Sequence, residues 1–150
     1  MNIAVKKITD QASLQKAFAI REAVFVEEQQ VAPEEEYDEY EQQATHFLAL
    51  IGPQEAGTAR WRFTDKGIKL ERFAVLKAFR GRGVGNALVK AVLADINNHP
   101  LSLGKTVYLH GQVQAMGLYE KSGFRKSGEL FVECNIEHYL MQLLPENSVK

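Results

Sequence analysis

Apolar residues recur along this chain at two spacings, and the switches between them mark its elements. "IAVKKIT" (3–9) reads as a first strand. Asp10 or Ser13 can cap a helix in which Leu14, Ala17, Phe18, Val24 and Phe25 return at helical intervals. The glutamates around Pro33 predict a loop with room for a short helix. "HFLALI" (46–51) is a short apolar strand, and "GPQEAG" (52–57) is turn chemistry before "TARWRF" (58–63). In that last stretch Ala59, Trp61 and Phe63 take one face and Arg60 and Arg62 the other, the period-two mark of a half-buried strand. The spacing predicts that these two strands pair as a hairpin.

"IKLERFAVL" (68–76) breaks the alternation. Ile68 and Leu70 share one parity, Phe73 and Val75 the other. A β-bulge near Glu71 and Arg72 accounts for the slip, and bulges gather beside active sites. A strand buried on both faces accounts for it equally well. Downstream, Val84, Ala87, Leu88, Ala91 and Val92 form one helical stripe that ends near "NNHP". "TVYLH" (106–110) is a strand, and "VQAMGLYEKSG" (113–123) a short helix ended by Gly123. "FRKSGELFVE" (124–133) and "HYLMQLL" (138–144) close the pattern as two strands. This order implies an α+β fold, a mixed sheet flanked by helices.

Composition narrows the class. At 150 residues, 45% hydrophobic and 25% charged, the chain fits one globular domain spanning 1–150. No apolar run approaches the roughly 20 residues of a membrane span, and "MNIAVKKITD" lacks a signal-peptide core. The expectation is a cytoplasmic protein with no membrane partner. Cys134 is the single cysteine, which excludes an internal disulfide and argues against a zinc cluster. Its apolar neighbours predict a small buried hydrophobe. The four histidines lack metal-site spacing, so no metal is expected.

A net charge of −1 gives no reason to expect nucleic acid. The distribution is uneven, however. Glu27, Glu28, Glu34, Glu35, Glu36, Asp38, Glu39 and Glu41 crowd a stretch without lysine or arginine, while residues 60–90 are predominantly basic. The acidic run is either a solvated surface or a lure for a cationic acceptor.

Directly before the long helix stands "RGRGVGNAL" (80–88), three glycines and two arginines. Glycine admits a ligand close to the backbone, and a helix start offers unpaired N–H groups to an anion. The alternative is a tight turn with two solvated arginines. Two familiar phosphate loops fail here. Gly85 is followed by Asn86 and Ala87 rather than by Lys-Ser/Thr, and neither Gly81 nor Gly83 opens a G-x-G-x-x-G/A fingerprint.

Arg80-x-x-Gly83-x-Gly85 resembles the coenzyme A loop of the GNAT superfamily of N-acetyltransferases. "AMGLYEKSGF" (115–124) is similar to that family's second motif, a short helix ending Leu-Tyr-Glu-Lys-x-Gly-Phe. "IREAVFVEEQQV", "THFLA", "YLHGQ" and "NIEHYLM" resemble the ElaA/YjcF-like branch, so the likeness spans nearly the whole chain. The asparagine often found seven residues before the motif tyrosine is Gln112 here. The resemblance implies a central mixed, largely antiparallel sheet flanked by helices, with a Gly-rich strand-loop-helix cofactor site. It also implies an acetyl-coenzyme A-dependent N-acetyltransferase acting on a small amine, with a homodimer left open.

Residue by residue, the resemblance implies that the backbone of Phe73, Ala74 and Val75 pairs with the pantetheine arm. Arg80, Gly81, Arg82, Gly83, Val84, Gly85 and Asn86 would cradle the pyrophosphate. Tyr119 would lie near the cofactor sulfur, as the acid that protonates the departing thiolate or as a packed aromatic. A base for the amine is open among Glu71, His110, Glu133, His138 and ordered water. A module that binds acyl-coenzyme A without chemistry is the rival reading.

Overall fold

A computed structural model describes residues 2–144. Its sheet has seven strands: β1 (Ile3–Lys7), β2 (Thr45–Ile51), β3 (Gln54–Thr64), β4 (Gly67–Val75), β5 (Val107–Gln112), β6 (Phe124–Glu133) and β7 (Ile136–Leu143). They lie in the order β1-β2-β3-β4-β5-β7-β6. Every pairing is antiparallel except β4 with β5. This is the mixed, largely antiparallel sheet expected.

Helix α1 (Gln11–Arg21) starts on Asp10, whose carboxylate accepts the Ser13 N–H at 2.7 Å. The helical spacing of Val24 and Phe25 holds, but the chain widens into a π-helical segment, Glu22–Glu28. A single turn, α2 (Pro33–Glu36), follows. Across the sheet, α3 (Val84–Asn98) buries Val84, Leu88, Val89, Val92 and Ile96, the expected stripe with Ala87 and Ala91 at its margin. Helix α4 (Met116–Glu120) is short, and Gly123 (φ +97°) turns the chain out of it. No helix of the described residues is long and apolar enough to cross a membrane.

Two expectations change. β2 and β3 do form a hairpin, but only Gly52 and Pro53 turn it; Gln54–Gly57 are already strand. The second face of β3 is not solvated either. Arg60 is fully buried there, because the acidic loop folds over it.

The phase slip in β4 is a bulge. Thr58 pairs with Ala74 but Arg60 with Glu71, so two residues of β4 oppose Ala59 alone. Arg72 takes a left-handed φ of +59° to accommodate it. The result is visible in the packing. Ile68 and Leu70 belong to the core beneath α3, and Phe73 and Val75 pack against that same core; Ala74 joins the smaller core under Phe25 and Val24.

Candidate active site

The sheet opens where β4 and β5 pair in parallel. β4 and β5 are hydrogen-bonded from Ile68–Val107 to Leu70–Leu109 and then diverge. Past that point, Glu71–Val75 pair with β3 alone and His110–Gln112 with β7 alone. Between them lies a cleft of about 550 Å³. Its walls carry the β4 edge on one side and His110, Gln112 and Tyr119 on the other. The bulge aims Phe73 and Val75 to the α3 side and Glu71 to the opposite face.

At one end of this cleft is the glycine loop. Gly81 (φ +77°) and Gly83 (φ +89°) take left-handed conformations that any other residue adopts only with strain. Among the described residues, nothing accepts the backbone N–H groups of 81 to 86. Six successive donors at a helix start are open to an anion. Val84 contributes only its N–H, since its side chain is buried in the core. Gly85 has a further role: a Cβ there would meet Leu118 Cδ2 at 3.1 Å, so its bareness lets α4 dock on α3. Arg82 lies over the Phe79 ring, 5.7 Å from its centre.

Arg80 already has an anion. Its guanidinium donates to both carboxylate oxygens of Glu28, at 2.6 and 2.7 Å, and its Nε to the Val75 carbonyl. Glu28 and the adjacent Gln29 end the π-helical segment, and each reaches across the cleft. Gln29 exchanges amide hydrogen bonds with Gln112 at 3.0 and 3.4 Å. The Gln112 side chain, which stands in place of the usual asparagine, is thus engaged by protein. Sequence reasoning missed Glu28 and Gln29 as cleft residues; the partners lie 52 and 83 positions away, and no local pattern signals such pairing.

Tyr119 is buried on α4, edge-on to Phe73 at 5.7 Å and to Phe124 at 6.3 Å between ring centres. No described group hydrogen-bonds its hydroxyl, and burial pushes the phenol well above its ordinary value. The hydroxyl therefore stays protonated at neutral pH.

The four base candidates differ sharply. Glu71 is buried among Arg60, Arg62 at 2.8 Å and Lys69 at 3.3 Å. Burial alone would raise its carboxyl, but these cations outweigh it and hold it low, which makes Glu71 a weak base. His110 is half-buried, with Nδ1 3.3 Å from Glu133 Oε2 and the Phe131 ring edge-on at 5.1 Å. The His110 hydrogen bond draws Glu133 down to about 2, against its partial burial. His138 is buried, stacked on Phe131, with Nδ1 2.6 Å from its neighbouring Ile136 carbonyl. Its Nε2 lies 4.0 Å from Glu133. Glu133 thus orders His110, while the Ile136 carbonyl and the Phe131 ring hold His138.

Four of the eight residues of the acidic run, Glu28, Glu36, Asp38 and Glu41, pair with arginine. Glu36 holds Arg21 at 2.8 Å and Arg72 at 3.2 Å; Glu41 holds Arg21 and Arg60; Asp38 holds Arg60 and Arg72. The pairs of Glu36, Asp38 and Glu41 clamp the loop over the bulge. Cys134 is half-buried in the β6–β7 turn (φ +53°), not a core hydrophobe; its thiol donates to Glu35 and is pushed up to about 11. Among the described residues no three His, Cys, Asp or Glu side chains converge as a metal site.

Residues 6–145 match the acetyltransferase (GNAT) domain family, and the chain belongs to that family. It is an acyltransferase. The uncharacterized N-acetyltransferase YjcF of Bacillus subtilis is 38% identical over 133 residues, covering 88% of this chain and 93% of that protein. Among solved structures, Escherichia coli ElaA superposes with a TM-score of 0.81 at 24% identity, over 93% of this chain and 99% of that one. A Bacillus subtilis acetyltransferase solved in complex with CoA gives a TM-score of 0.70 at 17% identity, over 95% and 98%.

Proposed function

We propose that this chain transfers the acetyl group of acetyl-coenzyme A to a primary amine by direct attack. The observation that carries this reading is the row of six unaccepted N–H groups at the mouth of the split between β4 and β5. A pyrophosphate fits such a nest, and the pantetheine arm fits the unpaired β4 edge at Phe73, Ala74 and Val75 as an added strand. The CoA complex of the structurally similar Bacillus enzyme supports this choice of ligand.

The amine nitrogen attacks the thioester carbonyl, forming the C–N bond and a tetrahedral oxyanion. A backbone N–H on the bulged edge of β4 would stabilise that oxygen. His110 takes the proton that the nitrogen sheds, oriented by Glu133. Collapse breaks the C–S bond, and the thiolate takes its proton from Tyr119. Water then carries a proton from His110 back to the phenolate. Glu71, held ionised by its three cations, anchors the bulge instead of acting as the base.

The test is release of free thiol from acetyl-coenzyme A across a panel of primary amines. Release that depends on amine supports transfer. Tight acetyl-coenzyme A binding with no amine-dependent release would replace the enzyme with a binding module.

A further inference from the structure

A second cavity, of about 320 Å³, shares the His110 wall with the transfer cleft. Strand register shows how. On one face of the sheet, Gln112 stands opposite His138, His110 opposite Leu140, and Tyr108 opposite Gln142. His110 is the middle rung, with the transfer cleft toward Gln112 and the second cavity toward Tyr108. Phe131 on β6 completes the wall, edge-on to His110. The α1 and π-helical layer packs on β2, β3 and β4 and leaves this part of the face uncovered.

The lining is poor in free polar groups. The Tyr108 hydroxyl is already bonded to Thr64 Oγ1 at 2.6 Å, so the tyrosine offers the cavity its ring. Phe131 and Leu140 are apolar, and the charged residue at the rim is Lys66. A group lying here would meet aromatic and aliphatic surface with a cation at the rim. Such a site favours apolar area and disfavours a second positive charge.

We propose that this cavity holds the non-reacting end of the acceptor, and that the acceptor is a primary amine carrying an aryl or similarly bulky apolar group. The proposal rests on the transfer reading above. The second cavity continues the His110 wall toward Tyr108, so an amine placed for deprotonation by His110 can extend its substituent over Tyr108, Leu140 and Phe131. Lys66 at the rim of this cavity disfavours a second positive charge on the substituent.

The experiment compares kcat/KM for 2-phenylethylamine, ethylamine and 1,4-diaminobutane at saturating acetyl-coenzyme A. The aryl amine is expected to exceed ethylamine by about 10- to 100-fold, with the diamine lowest. Leu140→Trp, and the milder Leu140→Phe, fill the cavity and should bring the aryl-to-ethyl ratio to within about threefold of one. Calorimetry with acetyl-coenzyme A establishes that each variant is folded, since Leu140 is remote from the glycine loop. Equal kcat/KM for the aryl and ethyl amines, or a ratio unchanged in both folded variants, overturns the proposal. So does a dimer in light scattering that either substitution splits, because a second copy would then cover the cavity. Failure to acetylate any amine overturns the transfer reading itself, a result distinct from loss of selectivity.

Discussion

Phe73 on β4 and Tyr119 on α4 meet edge to face across the split in the sheet, their ring planes at 89°. The contact depends on the bulge at Arg72. Without the extra residue, Phe73 would point to the other face and Tyr119 would lose the ring that orients it. With it, the one polar atom of a buried aromatic cluster is a phenol without a described partner, facing the cleft where a thioester would lie. Backbone irregularity and side-chain chemistry are therefore parts of one device.

Arg80 should be found in competition between Glu28 and phosphate. Arg80→Ala is expected to weaken acetyl-coenzyme A binding by about 1–3 kcal/mol. Glu28→Gln removes the competing carboxylate and should tighten binding, while Gly83→Val closes the nest and should abolish it. Calorimetry on the three variants measures this; weaker binding by Glu28→Gln would contradict an ion pair that yields to the cofactor.

His110→Gln should lower kcat by about 10²- to 10⁴-fold, in the range of a lost general base. Glu133→Gln should give a smaller fall, and neither should change acetyl-coenzyme A affinity. Steady-state kinetics with calorimetry decides the point. Full turnover in His110→Gln would hand the proton to ordered water.

Acid stability should report the clamp on the bulge. Burial alone would raise the Asp38 carboxyl, but the Arg60 hydrogen bonds and charge outweigh it and hold it at about 2, below the ordinary 3.8. Because the folded value is depressed, the Asp38 contribution is complete above 3.8 and is lost as pH falls through about 2. Asp38→Asn should make the melting temperature lower at neutral pH and flatter between pH 4 and 2. An unchanged acid slope would mean that Asp38 is not the group that titrates.

Much of this arrangement is legible in the chain because its signals are local. The parity change between Leu70 and Phe73 carries the bulge, and the glycines of 81–85 carry the nest. The charged pairs are a different matter. Arg21 sits on a helix face where its burial is invisible until Glu36 and Glu41 fold onto it, 15 and 20 residues on. Likewise, the acidic run looks solvated because Arg60 and Arg72 reach it only after the sheet assembles. The His110–Glu133 pair is brought together by β7, which lies between their strands. Pattern along the chain reports which face a residue takes, and it is silent about what arrives there from elsewhere.

The most direct test of acetyl transfer through this cleft is Tyr119→Phe, measured for turnover, acetyl-coenzyme A affinity and melting temperature on one preparation. The ring and its contacts with Phe73 and Phe124 remain, and only the proton donor is lost. Turnover is expected to fall about 10²- to 10⁴-fold while affinity and melting temperature barely move. Near-normal turnover with a clear drop in melting temperature would contradict a catalytic phenol and leave Tyr119 a structural residue.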